Sequence, residues 1–271
     1  MSWWQAVVAY WRRLFGGGSR LGAPSLRVSG DPPSGNGASS MHLWWSLPYG
    51  ELLTEVSATL EILDPPSVDR LYFWALQAAF VKPDGGAAHL GIQHNRRHPG
   101  GAAVNFGGYN PRSIGGLLDG DASTLPSTPN DPNTRDFGWV PNRKYRLSIK
   151  RIEHTVSEGF YAWRGSIEDL VTGRFTVVRI LFSLGGYIRG PVVWTESFAR
   201  CEMPSVGVRW TDLEAVGERK GVIPVTSGSV NYQHFDAGGC DNTNMDIEGD
   251  GWMQRTATER TVPTGTVLSI E

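Results

Sequence analysis

The sequence predicts an all-β protein, built as a two-sheet antiparallel β-sandwich. Between Arg70 and Trp210, short aromatic and β-branched runs follow one another, broken by glycine and proline, with no long helix-period segment among them. The 34 glycines and 17 prolines supply the turns such a chain needs. Several runs also alternate apolar and polar residues with period two, the pattern of a strand that buries one face. Strands in series have few ways to bury their apolar sides, and two packed sheets are the commonest.

Each element follows from its own residues. Trp3, Trp4, Val7, Val8, Trp11, Leu14 and Phe15 recur at helical spacing, so residues 1–16 read as a short N-terminal amphipathic helix. Such a helix packs on the body, or anchors the protein peripherally to a membrane or protein partner, since tryptophan and arginine suit the headgroup region. Residues 17–40 are rich in Gly, Pro and Ser and read as a flexible arm. Residues 41–271 form one sandwich domain, an ordinary length for all-β architecture. Its strands are expected at 42–47, 54–62, 71–80, 89–93, 102–106, 144–150 and 174–182. The clearest is 54–62, with Val56, Ala58, Leu60 and Ile62 on one face and Glu55, Ser57, Thr59 and Glu61 on the other. Residues 159–168 and 174–182 read as a hairpin through 169–173. The stretch from Asn110 to Trp139 reads as a long irregular loop, a length usually tied to function or motion. Past Trp210 the pattern weakens, with strands expected within 222–232 and 251–260 and a last alternation at 266–270.

Composition narrows the function. Hydrophobic content of 40% excludes a disordered chain, and a net charge of −2 with dispersed Lys and Arg argues against nucleic acid as a partner. No window is long and apolar enough to span a bilayer as a helix, and the N-terminus lacks the usual form of a secretory signal, which leaves location open. Cys201 and Cys240 are either a disulfide or two separate thiols.

The run Tyr72-Phe73-Trp74, then His89-Leu90-Gly91-Ile92-Gln93, Val104-Asn105-Phe106, Val192 to Phe198, and Cys201, Cys240 and Asn242 carry a family resemblance. Across roughly residues 41–260 the chain resembles an uncharacterised bacterial β-sandwich family akin to concanavalin-like lectin and glucanase jelly-rolls. That resemblance implies a jelly-roll whose concave sheet binds saccharide.

Asn242, Asn244, Asp246, Glu248 and Asp250 would share one side of an extended segment, and Asp246, Glu248 and Asp250 are candidate oxygen ligands for calcium. The helix–loop–helix calcium template fails, because Ala257 stands where its bidentate glutamate belongs. A two-glutamate retaining glycosidase motif fails too, with Asn244 in place of the first glutamate. No histidine pair has metal-ligand spacing on a helix, and neither a nucleophile elbow nor a phosphate loop is present. The remaining constellation is aromatic and amide: Trp74, Gln93, Asn105, Trp194 and Glu196, with flat rings for stacking and a few polar anchors. The leading expectation is a non-catalytic carbohydrate- or glycan-binding, lectin-like module with these five residues lining its site. The alternatives are a glycoside hydrolase or polysaccharide lyase using Glu196 or the Asp246/Glu248 pair, and a structural or surface-interaction module.

Overall fold

A computed structural model describes residues 26–82, 84–110 and 117–270. It is all-β and antiparallel. The strands in chain order are β1 (Ser39–Trp45), β2 (Leu53–Asp64), β3 (Tyr72–Phe80), β4 (Ala87–His94), β5 (Ala102–Tyr109), β6 (Thr134–Asp136), β7 (Lys144–Ile152) and β8 (Tyr161–Asp169). They continue as β9 (Arg174–Ser183), β10 (Ile188–Ser197), β11 (Gly207–Gly217), β12 (Gly221–Pro224), β13 (Ser227–Tyr232), β14 (Thr243–Glu248), β15 (Gly251–Thr256) and β16 (Val267–Ser269). The expected N-terminal helix, residues 1–16, lies outside the described residues.

Hydrogen bonding arranges the strands in two layers. The first runs β6-β5-β4-β3-β10-β1-β13-β16. The second runs β14-β15-β11-β2-β7-β8-β9, with β12 on the same side of β11 as β15. A single pair, Ile188 with Leu53, links the layers along their ladders. Between them lies one apolar core, to which β1 gives Met41 and Leu43, β2 gives Val56, Ala58, Leu60 and Ile62, β3 gives Tyr72, Trp74 and Leu76, and β11 gives Val208 and Trp210. The alternation read in β2 is the reason it lies where it does: its four apolar side chains are almost fully buried in this core. On its other face Glu61 meets Arg209 Nη2 at 2.6 Å and Ser57 meets Arg146 Nη2 at 2.7 Å.

Three strands escaped the sequence reading. β11 stands where the alternation was expected to fade. Thr211 to Glu214 is a register irregularity against β2, with Asp212 at φ 48°, and this breaks the period that identifies a strand. β14 falls in the acidic segment that supplies the candidate calcium ligands, outside the expected strands. β6 lies inside the supposed irregular stretch and extends the first sheet through Asn105 paired with Thr134. The stretch 222–232, where strand was expected, holds two strands serving different layers, β12 on β11 and β13 on β1.

Residues 26–38 form no strand before β1, but they are tied to the body. Arg27 N donates to Asp241 Oδ2 at 2.7 Å, and Arg27 Nη1 donates to the carbonyls of Phe235 and Gly239, each at 2.9 Å. Cys201 and Cys240 form a disulfide, which closes the question of the two thiols.

Candidate functional site

Both faces of the first sheet are apolar at its centre. The inner face feeds the core; the outer face carries a second, smaller cluster of Phe73, Ala75, Val192 and Trp194, flanked by Trp44. Strand register places the polar side chains around it. Residues paired across neighbouring strands point to the same side, so three rows can be read from the pairing. One runs Ser40, Glu196, Phe73, Gln93, Ala103. The next runs His42, Trp194, Ala75, Gly91, Asn105, Thr134. The third runs Trp44, Val192, Gln77, His89, Gly107. Small residues at Ala75, Gly91 and Gly107 keep the floor low between the larger side chains. A Cβ at Gly107 would come within 3.2 Å of His89 Nε2 and 3.4 Å of Asn105 Oδ1.

Four of the five expected site residues, Gln93, Asn105, Trp194 and Glu196, therefore lie on one surface. The fifth does not. Trp74 has no exposed surface, belongs to the inner core, and packs edge-on against Trp139 at 5.9 Å. Trp194 is on the correct face but only 5% exposed, covered by the Phe73 ring at 4.8 Å and near His89 at 6.2 Å. Neither ring offers a flat face to a sugar in water. The solvent-reaching members of the surface are instead the half-buried Trp44, His89 and Glu196.

The electrostatics single out Glu196. Burial among the rings pushes its carboxyl up to about 7, and a hydrogen bond from Asn36 Nδ2 at 3.2 Å pulls the other way. Among the described residues no charged group contributes to its titration. Two strand spacings away, about 10 Å between backbones, the amide of Gln93 is fixed by Asn95 Nδ2, which donates to Gln93 Oε1 at 3.1 Å. Trp139 Nε1 holds the Gln93 carbonyl at 2.8 Å. Asn105 Nδ2 donates to Thr134 Oγ1 at 2.8 Å. His42 and His89 are both held down to about 4 by desolvation, so both are neutral near pH 7. The Nδ1 atom of His89 has no hydrogen-bond partner among the described residues. Neither His89 nor His42 is among the residues the sequence put in the site. Only cross-strand pairing brings the two imidazoles to the same surface.

The supposed calcium segment has another role. Alternate residues of β14 do share a side, and Asn244 Nδ2 donates to Asp246 Oδ2 at 3.2 Å. The carboxylates are matched to arginines, however. Arg255 Nη1 lies 3.1 Å from Asp246 Oδ1, its Nη2 bonds Glu248, and Arg209 Nη1 is 3.8 Å from Asp250. Among the described residues no group of three or more His, Cys, Asp or Glu side chains is arranged to hold a metal ion.

A second concavity, about 450 Å³, opens at the end of the first sheet beside Asp69, His94, Arg96 and His98. His98 Nδ1 is 2.6 Å from Asp136 Oδ1, and Thr128 N and Oγ1 donate to the same carboxylate. The imidazole thus acts as a clamp between the 95–101 turn and β6.

No protein-family model and no curated protein matches this chain. Among solved structures, scytalido-glutamic peptidase with a peptide-based transition-state analogue is similar at 11% identity and TM-score 0.42, over 83% of this chain and 98% of the peptidase. SCP-B, an eqolisin-family peptidase in complex with the tripeptide Ala-Ile-His, is similar at 10% identity and TM-score 0.39, over 83% and 98%. The PL-14 alginate lyase from Aplysia kurodai follows at 8% identity and TM-score 0.28, over 56% and 70%. All three scores are low, and none assigns an activity to this chain. The expectation of a non-catalytic saccharide-binding module is nonetheless overturned. Its stacking residue Trp74 is sealed in the core and Trp194 is almost so.

Proposed function

We propose that the outer face of the first sheet is an acid–base catalytic site centred on Glu196, acting by hydrolysis on a carbonyl substrate such as an amide or ester. The observation that carries this reading is a carboxyl raised to about 7 on a half-buried surface where no charged neighbour among the described residues compensates it. A structural carboxylate is normally paired, and an unpaired one tuned near neutrality is matched to proton transfer. In this scheme ionised Glu196 accepts a proton from water as the water oxygen attacks the carbonyl. The Gln93 amide, on the far side of Phe73, donates a hydrogen bond to the oxyanion, and Glu196 returns the proton to the leaving group. The rings of Phe73 and Trp194 exclude bulk water and favour substrates with an apolar group beside the scissile bond.

The test is turnover of a panel of peptide and ester substrates from about pH 5 to pH 9. Activity should rise with a midpoint near the Glu196 value of about 7, as the carboxyl ionises. Glu196→Gln should lower kcat by about a hundredfold or more. Wild-type turnover in folded Glu196→Gln would remove the proposal.

The concanavalin-type jelly-roll remains our proposed topology. Its support is the way the chain crosses between layers: β2 in the second, β3 to β6 in the first, β7 to β9 in the second, β10 in the first.

A further inference from the structure

The Glu196 carboxyl has one hydrogen-bond partner among the described residues, and it comes from the segment preceding β1. Asn36 sits in a turn that immobilises its side chain. Ala38 N donates to Asn36 Oδ1 at 3.1 Å, and Ser34 Oγ closes the turn on the Ala38 carbonyl at 2.6 Å. With the amide oxygen engaged by its own turn, the amide nitrogen is left directed at Glu196 Oε1, 3.2 Å away. The turn itself is held from both sides. Downstream it runs into β1, whose Ser40 pairs with Glu196. Upstream, Cys201 N donates to the Gly30 carbonyl at 2.9 Å, Gly30 N donates to Glu202 at 2.7 Å, and Arg27 and Asp241 exchange hydrogen bonds of 2.7 Å. Those contacts reach two loops that the Cys201–Cys240 disulfide joins covalently.

We propose that Asn36 is a positioning residue: delivered by a segment held on the two disulfide-joined loops, it orients the Glu196 carboxyl and stabilises its ionised form. This rests on Glu196 being the working acid or base of the site. Among the described residues the surroundings leave Asn36 without a competitor. β3 presents Phe73 and Ala75 beside the carboxyl, β1 presents Ser40 and the neutral His42, and β4 presents Gln93 and the neutral His89. Arg200, the nearest cation along the chain, is committed to Glu202 at 2.7 Å. Burial favours the protonated carboxyl, and the donated N–H is the one contact that favours the anion.

The experiment is an NMR titration of glutamate side-chain carboxyls in the full chain, with Glu196→Gln identifying the resonance. Asn36→Ala and Asn36→Ser are compared with the wild type. Serine can cap the turn through its hydroxyl but is too short to reach Glu196. Both variants should raise the Glu196 midpoint by about one pH unit, a tenfold gain in proton affinity. An unmoved midpoint in Asn36→Ser, with wild-type resistance to urea, would overturn the inference. The titration uses no substrate, so its outcome is separate from that of the catalytic reading. Full turnover by Glu196→Gln would end that reading while leaving a shift caused by Asn36 intact.

Discussion

Gly91 shows how closely the candidate site is fitted to the backbone beneath it. A Cβ there would fall inside contact distance of the Trp74 carbonyl oxygen and 2.7 Å from the Ala75 Cβ. The atoms that would have to move belong to a central strand and cannot turn away. Gly91→Ala is therefore expected to cost about 1–3 kcal/mol, read as a lower urea midpoint with unchanged slope. A wild-type midpoint would show that β3 and β4 are less tightly apposed than described. The same scale explains what was misread at Trp74. Tyr72, Trp74 and Leu76 alternate with Phe73 and Ala75, so both faces of β3 are apolar. Period two then tells which residues share a side but not which side meets the core. For Glu196 and Trp194 the shared side was legible, because alternation within one strand is a local property.

At the scale of elements, the loops after β10 and β13 are joined by a disulfide with a sequence separation of 39. Closing a loop of that length removes unfolded-state entropy worth about 3–4 kcal/mol. The double variant Cys201→Ser, Cys240→Ser should lose stability of that order in urea unfolding. A loss well below 1 kcal/mol would mean the contacts of residues 27–30 already fix the two loops without it. The acidic strand β14 carries a related lesson. Its side-chain parity was readable from Asn244 and Asp246, whereas the arginines that neutralise it come from β15 and β11. Ion pairing between strands depends on register, and register is not written within either strand alone. β11 itself was missed because an irregularity at Thr211 to Glu214 interrupts its alternation, while its pairing with β2 continues on either side.

Taken whole, the molecule carries three groups displaced far enough by burial to shape its stability, and half-buried His94, also lowered by desolvation, acts in the same sense as the two buried histidines among them. His42 and His89 drop from 6.5 to about 4 on folding. Between those values the unfolded chain binds their two protons and the folded chain does not, so stability falls as pH falls through that window. Glu196 rises from 4.5 to about 7, so between those values the folded state holds its proton and stability rises as pH falls. From His42, His89 and Glu196 alone, where the windows overlap the unfolded state is ahead by about one proton, or about 1.4 kcal/mol per pH unit. Glu196→Gln removes the opposing proton and should steepen the slope by about 1.4 kcal/mol per pH unit in unfolding measurements near pH 5.5. An unchanged slope would show that Glu196 titrates near its ordinary value.

The sequence alone determined that this chain is a series of strands, which residues of β2, β4 and β10 share a side, and where most turns fall. These are short-range consequences of side-chain alternation and of glycine and proline chemistry. Only the tertiary structure decided which side of β3 faces the core, that Asp246 and Glu248 meet Arg255, and that Asn36 reaches Glu196 across 160 positions of sequence. Those outcomes depend on how strands pair and how two layers close. The pairing energy is shared among residues far apart in the chain, and no local pattern records it.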